Sequence, residues 1–305
     1  MNTTLKKEEN IYCSRKIIMR IIHEKGLEEL KKRIILNLKD LIKMLEWNEK
    51  NGIKVYRLSS DLFPHKTNPK VENYTFDFAI PLLKSIGDIA KKYNHRLTFH
   101  PGQYNVLASP NNKYVKKTIE DLTYHANVLD LMEMGKDSVM VIHGGGVYND
   151  KNSTFDRWCE NYKKLPDNIK NRIVLENCEK NFSIEDCLYI SSQTGVPIVF
   201  DTHHYDCYKL LHPEEKFEDP DYYILLILDT WHNRGIKPKF HVSEQGDGKI
   251  GKHSDYIDTI PDYLLEIPDK YGIDIDIMIE AKMKELSINK LYEKFPHLNC
   301  KIINY

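Results

Sequence analysis

Seven short apolar runs, six of them closing on or beside a histidine or a carboxylate, limit what this chain can fold into. They are Ile53 to Leu58, Arg96 to His100, Ser138 to His143, Arg172 to Glu176, Pro197 to Asp201, Lys239 to Val242 and Ile275 to Glu280. Their length and their β-branched and aromatic content suit strands. Between them lie longer stretches with apolar residues at helical spacing: Gly26 to Glu49, Phe76 to Tyr93, Asn112 to Met134, Ser183 to Thr194, Asp219 to Trp231 and Ser254 to Tyr271. Strands alternating with helices predict a parallel sheet. With no linker or low-complexity stretch in 305 residues, the expectation is a single domain over 1–305, an α/β TIM (β/α)8 barrel. Met1 to Arg15 is polar and offers no strand, so the barrel's first strand reads as absent, and Lys6 to Glu9 reads as a solvated loop.

Lys and Arg number 44 against 45 Asp and Glu, so the chain has no global field to steer a polyanion, and any nucleic-acid contact must be local. The six cysteines form no C-x-x-C pair, and no signal segment or long apolar span is present. These features predict a reducing compartment, cytoplasmic or nuclear, with cysteines as small buried side chains rather than ligands.

The strand ends carry the chemistry. His100, His143, Glu176, Asp201, His241 and Glu280 terminate or nearly terminate predicted strands, and in a TIM barrel those ends converge on one mouth. Buried carboxylates and imidazoles in such company are costly unless paired or metal-bound, so the pattern predicts a metal cluster. Carboxylate and imidazole donors without cysteine favour the harder end of zinc, manganese and iron. His100-Pro101-Gly102-Gln103-Tyr104 turns at once after its strand, leaving Gln103 and Tyr104 exposed to stand beside a stacked base. His143-Gly144-Gly145-Gly146 clears side chains so that a backbone or phosphate can approach. Asp201-Thr202-His203-His204 reads as a tight turn presenting Asp201 and His204 to one ion, with His203 behind them. Lys239 shares a strand face with His241 and is read as a phosphate contact, a modified bridging ligand or a solvated cation. His253 follows a Gly-rich loop and can reach back as a ligand, and Lys282 follows Glu280 as a candidate phosphate contact.

Taken together and in this order, HPGQY, HGGGVY, LEN, DTHH, KFH, His253 and EAK resemble the UV damage endonuclease family, over about Asn2 to Lys284. That resemblance implies a DNA repair endonuclease cutting 5′ of cyclobutane pyrimidine dimers, 6-4 photoproducts and some abasic sites. It implies a 3′-hydroxyl and a 5′-phosphate as products, made by metal-activated water at a divalent cluster of manganese, with zinc or magnesium as alternatives. The implied ligands are His100, His143, Glu176, Asp201, His204, His241, His253 and Glu280, with Lys239 and Glu280 in catalytic roles. Asn2, Arg57, Gln103 and Tyr104 are the implied contacts to UV-damaged duplex DNA, bound by a monomer with no membrane association. Family members carry a strand and an aromatic ahead of the asparagine, whereas this sequence begins at Met1. Two other readings use the same residues: a xylose-isomerase-like sugar isomerase, and a lesion-binding protein without catalysis.

Overall fold

The computed structural model describes residues 2–301. The chain divides into two compact units: residues 1–101, 120–140 and 292–305, and residues 102–119 and 141–291.

In the first unit, β1 (Val55–Leu58) and β2 (Arg96–Phe99) run parallel in the register Val55↔Arg96 to Leu58↔Phe99, and Phe99 pairs with Met140. The long helix Met19–Lys50 breaks at Gly26, whose φ of 73° is open to a residue without Cβ. Past that break, Leu30, Ile34, Leu38, Leu41 and Leu45 recur at helical spacing and are fully buried, while Lys32, Lys39, Lys43 and Glu46 are exposed, so this helix packs on the core through one face. Helix Ile80–Lys92 packs on it through Leu83, Ile86 and Ala90. The buried Asn37 of the long helix takes the Arg15 N–H on Oδ1 at 2.9 Å and donates to the Asp61 and Leu62 carbonyls, so one amide closes three loop contacts.

In the second unit, β3 (Met140–His143) neighbours β4 (Ile173–Glu176), and β4 pairs in parallel with β5 (Ile198–Val199) through Leu175↔Ile198 and Glu176↔Val199. The His241 N–H donates to the Phe200 carbonyl at 3.0 Å, carrying the ladder on to β6 (Lys239–Val242), which pairs in parallel with β7 (Asp276–Ile279). Parallel strands in one run present their C-terminal ends on one edge, so this register sets the height of every polar residue at that edge. Trp231, fully buried in helix Pro220–Arg234, donates its indole N–H to the Ile198 carbonyl at 2.7 Å, which secures the two-residue β5.

All seven predicted strands are present, each trimmed at one or both ends except Lys239–Val242. Three local expectations are corrected. Thr3–Glu9 is a helix, capped by the Asn2 Oδ1 accepting the Leu5 N–H at 2.8 Å, so Lys6 to Glu9 is exposed but not a loop. Asn2 is 2% exposed in that role, which makes it a buried cap here rather than an open DNA contact. The stretch Ser254 to Tyr271 is helical only at Asp262–Leu265 and Ile267–Tyr271: Pro261 stands ahead of the first as its N-cap, and Pro268, in the first turn of the second, has no N–H to continue the ladder from the first. Among the described residues, no helix is long and apolar enough to cross a membrane.

Helix Ile184–Thr194 starts with a complete capping box: Ser183 accepts from the Asp186 N–H, and the Asp186 carboxylate accepts from the Ser183 N–H. Ser183→Ala removes one half of it and is expected to destabilise the fold by about 1 kcal/mol, read as a lower urea midpoint at unchanged slope.

Candidate metal centre

Glu176 is the last residue of β4 and is fully buried. Its Oε1 lies 2.5 Å from His241 Nδ1, and its Oε2 lies 3.5 Å from His143 Nε2. Glu280, which follows β7, brings its Oε1 to 3.3 Å from the same His241 nitrogen and its Oε2 to 3.8 Å from His253 Nδ1. His143, Glu176 and His204 each offer one donor atom within 4.8 Å of the others. The strand ends of the second unit are thus gathered into one cluster. His100 follows β2 at the close of the first unit, half-buried.

The expected tight turn at Asp201 is instead the start of helix Thr202–Leu211. Asp201 is its N-cap, with Oδ1 accepting the His204 N–H at 2.9 Å, so the two candidate ligands are joined by one helical turn. The other oxygen, Oδ2, is buried with no hydrogen-bond partner among the described residues. A fully buried carboxylate with an orphaned oxygen is costly unless a cation meets it. Sequence reasoning missed the residue that braces this turn. Asn177 accepts the Asp201 N–H at 2.8 Å and returns a bond to the Asp201 carbonyl at 3.0 Å, and its own carbonyl stands 3.1 Å from His204 Nδ1. Because a carbonyl only accepts, His204 carries hydrogen on Nδ1, and in the neutral ring the Nε2 lone pair is left for a ligand. The signal was available as the amide directly after Glu176.

Lys239 is fully buried, neither solvated nor open to a phosphate, and its Nζ lies 2.5 Å from His241 Nε2. As an ammonium it donates to Nε2, and the hydrogen on Nδ1 then meets the carboxylates; as a neutral amine it accepts from Nε2–H instead, which leaves the Nδ1 lone pair for a ligand. Burial, then the Lys239 charge, pushes His241 down to about 4, which keeps this ring neutral. Burial raises Asp201 to about 7, with Glu176 and Glu280 adding to the rise against the opposing pull of His204. His204 is raised to about 9, because Asp201 and Glu176 outweigh the burial that alone would lower it. Three carboxylates face one another here, and protons taken up by the cluster relieve their repulsion. A divalent cation relieves it equally, and the donors present, carboxylate oxygen and imidazole nitrogen, suit one.

Around the centre, His203 is buried with its Nε2 3.4 Å from Cys207 Sγ, and burial followed by His204 and His253 lowers it to about 4. All six cysteines are free, five of them buried, as the sequence predicted. Gln103 and Tyr104 are exposed, Tyr104 at 64%, on a turn closed by Asn105 N–H and Nδ2 donating to the Gly102 carbonyl at 3.0 Å each. Arg57 lies exposed on β1 in the first unit, and Lys282 pairs with Asp255 at 3.3 Å on the surface.

The model of the UV-endonuclease UvdE family matches residues 1–303. The chain belongs to this family. Among its relatives, the UV-damage endonuclease of Schizosaccharomyces pombe is 38% identical over 97% of this chain and 49% of its own length, so the chain spans about half of that relative. The UV DNA damage endonuclease of Bacillus velezensis is 35% identical over 85% of this chain and 80% of its own length. The crystal structure of SacUVDE superimposes with a TM-score of 0.83 at 33% identity, covering 98% of this chain and 96% of that one. Endonuclease IV of Thermus thermophilus, at 12% identity and a TM-score of 0.53 over 85% of this chain and 93% of that one, shares the fold alone. The chain is accordingly of the α/β TIM-barrel class that the sequence predicted.

Of the glycines after His143, Gly144 has a packing reason: a Cβ there would stand 2.3 Å from the ring of fully buried Phe182. Gly144→Ala is therefore expected to cost about 1–3 kcal/mol and to lower the melting temperature, with Phe182→Leu restoring part of the loss. A melting temperature equal to the parent's would show that the ring can move aside.

Proposed function

We propose that this chain is a divalent-metal-dependent DNA repair endonuclease that hydrolyses the phosphodiester immediately 5′ to UV photoproducts, cyclobutane pyrimidine dimers and 6-4 photoproducts, and acts on abasic sites. It leaves a 3′-hydroxyl and a 5′-phosphate. The observation that carries the reading is the buried cluster of Glu176, Asp201 and Glu280 with three imidazoles, in a chain of the UvdE family. A sugar isomerase could use similar donors, but relatives at 35–38% identity are named as UV-damage endonucleases.

The residues proposed to hold metal are His143, Glu176, Asp201, His204, His241, His253 and Glu280, with His100 added on its motif. When bound, a divalent ion polarises a phosphoryl oxygen and lowers the pKa of coordinated water. Manganese is the proposed ion, with zinc and magnesium as alternatives. The chain's own part is arrangement: Asn177 and Asp201 set the His204 ring, Lys239 sets the His241 ring, and Glu176 and Glu280 supply the charge that retains a cation. Lys239 acts through His241, and Glu280 is the proposed catalytic carboxylate. Gln103 and Tyr104 stand ready to enter a stack loosened by damage, where an aromatic face substitutes for a lost neighbour. Arg57 is a proposed phosphate contact, exposed on its strand. The enzyme is read as a monomeric single domain, matched end to end by one family, working in the cytoplasm or nucleus on double-stranded DNA.

The test is nicking of a duplex carrying one thymine dimer, with the cut mapped to the nucleotide. The manganese-loaded protein should cut just 5′ of the dimer and lose that activity on chelation; aldose turnover without nicking would reverse the assignment. Glu176→Gln should lower kcat by on the order of 10³-fold and lower the metal content, while Lys239→Met should cost about 10–100-fold through the misplaced His241 ring. Full activity in Glu176→Gln would remove the cluster from the mechanism.

A further inference from the structure

Helix Asn112–Leu131 begins with Lys113, Tyr114, Lys116 and Lys117, all exposed. At i, i+3 and i+4 the three ammonium groups share one face. None of them has a carboxylate within ion-pair distance among the described residues, although some exposed lysines on other helices do, as in Lys43 with Asp40 and Lys91 with Asp88. No acidic residue occupies the first turn of this helix. Three like charges side by side, at the end of a helix where the backbone dipole is already positive, repel one another and the dipole. An external polyanion relieves both. In a chain of net charge −1, a local concentration of this kind is where a polyanion can be met. Its position adds to the case: the Val106 N–H donates to Thr118 Oγ1 at 2.9 Å, tying the Gln103–Tyr104 turn to the same helix one residue past the last of these lysines. Tyr114, 53% exposed, stands among them with its hydroxyl as a further donor.

We propose that Lys113, Lys116 and Lys117, with Tyr114, form a docking strip for the phosphate backbone of duplex DNA beside the Gln103–Tyr104 turn. The inference rests on the DNA-substrate reading above and extends it. The strip supplies sequence-independent affinity, and it leaves the choice of lesion to the turn and the chemistry to the metal centre. The experiment compares the metal-loaded parent, a Lys113→Gln, Lys116→Gln, Lys117→Gln variant and the corresponding triple Arg variant. Each is measured for binding to an undamaged duplex across a salt series, and for kcat and KM on the same duplex bearing one thymine dimer. Each lost phosphate contact removes about 0.9 from the slope of log affinity against log salt, so the Gln variant should lose roughly 2 to 3. Its affinity for undamaged duplex should fall by about tenfold or more at low salt, with KM rising in parallel and kcat unchanged. The Arg variant should restore slope and KM. A folded Gln variant with the parental slope and KM overturns the strip, as does a loss confined to kcat. A parent that neither binds nor nicks overturns the DNA reading itself, so the two failures are told apart.

Discussion

Glu176 has no exposure to solvent, and both of its oxygens face imidazole nitrogens, one from β6 and one from β3. A carboxylate taken so far out of water survives only where opposite charge or hydrogen bonds replace what water supplied. The rest of the second unit is arranged to provide that replacement. The parallel register brings His241 level with Asp201 across one strand junction and with Met278 across the next, which sets Glu280 two residues further along. Lys239, two residues back on the same face, fixes which nitrogen His241 turns toward the acids. Without that buried ammonium the ring could present either nitrogen, and the acids would lose their nearest donor.

The same constraint accounts for the titration behaviour of the cluster. Asp201 is held near 7 and His204 near 9, so the cluster without a cation shares protons among its acids, and His241 stays neutral beside Lys239. Protons and a divalent cation answer the same demand. The orphaned Asp201 Oδ2 shows where hydrogen bonding alone leaves the demand unmet. Asn177 then explains how a cap and a ligand can be the same residue: it holds the Asp201 backbone from both sides, which leaves the side chain free to cap with one oxygen and offer the other.

Much of this was legible from the sequence, for a physical reason. Ile173-Val174-Leu175 and Pro197-Ile198-Val199-Phe200 are buried on both faces and so read as continuous apolar runs, and an acid at the end of such a run is conspicuous. What failed depended on context. Asp201-Thr202-His203-His204 looked like a turn because three polar residues follow a strand, although Asp before a Thr is equally an N-cap signal; the buried Tyr205, Cys207 and Tyr208 beyond it decide for helix. Lys239 left three readings open, a phosphate contact, a modified bridging ligand and a solvated cation, because a lysine on a strand face suits each; its full burial against His241, which only the fold brings about, removes the solvated one. Ser254 to Tyr271 read as one helix because its apolar spacing outweighed two prolines in the count.

The central claim is that the buried acids of the second unit are held together by a divalent cation, and it can be tested without any turnover. Thermal unfolding of the metal-stripped protein would be followed as manganese is added, beside Glu176→Gln. At a hundred times the dissociation constant, ligand binding to the folded state adds about 2.7 kcal/mol, so the parent's melting temperature should climb by several degrees, fall back on chelation, and barely move in Glu176→Gln. A parent that melts at one temperature with and without manganese would mean that protons and Lys239 satisfy Glu176 unaided, and the account of the site as a metal centre would be wrong.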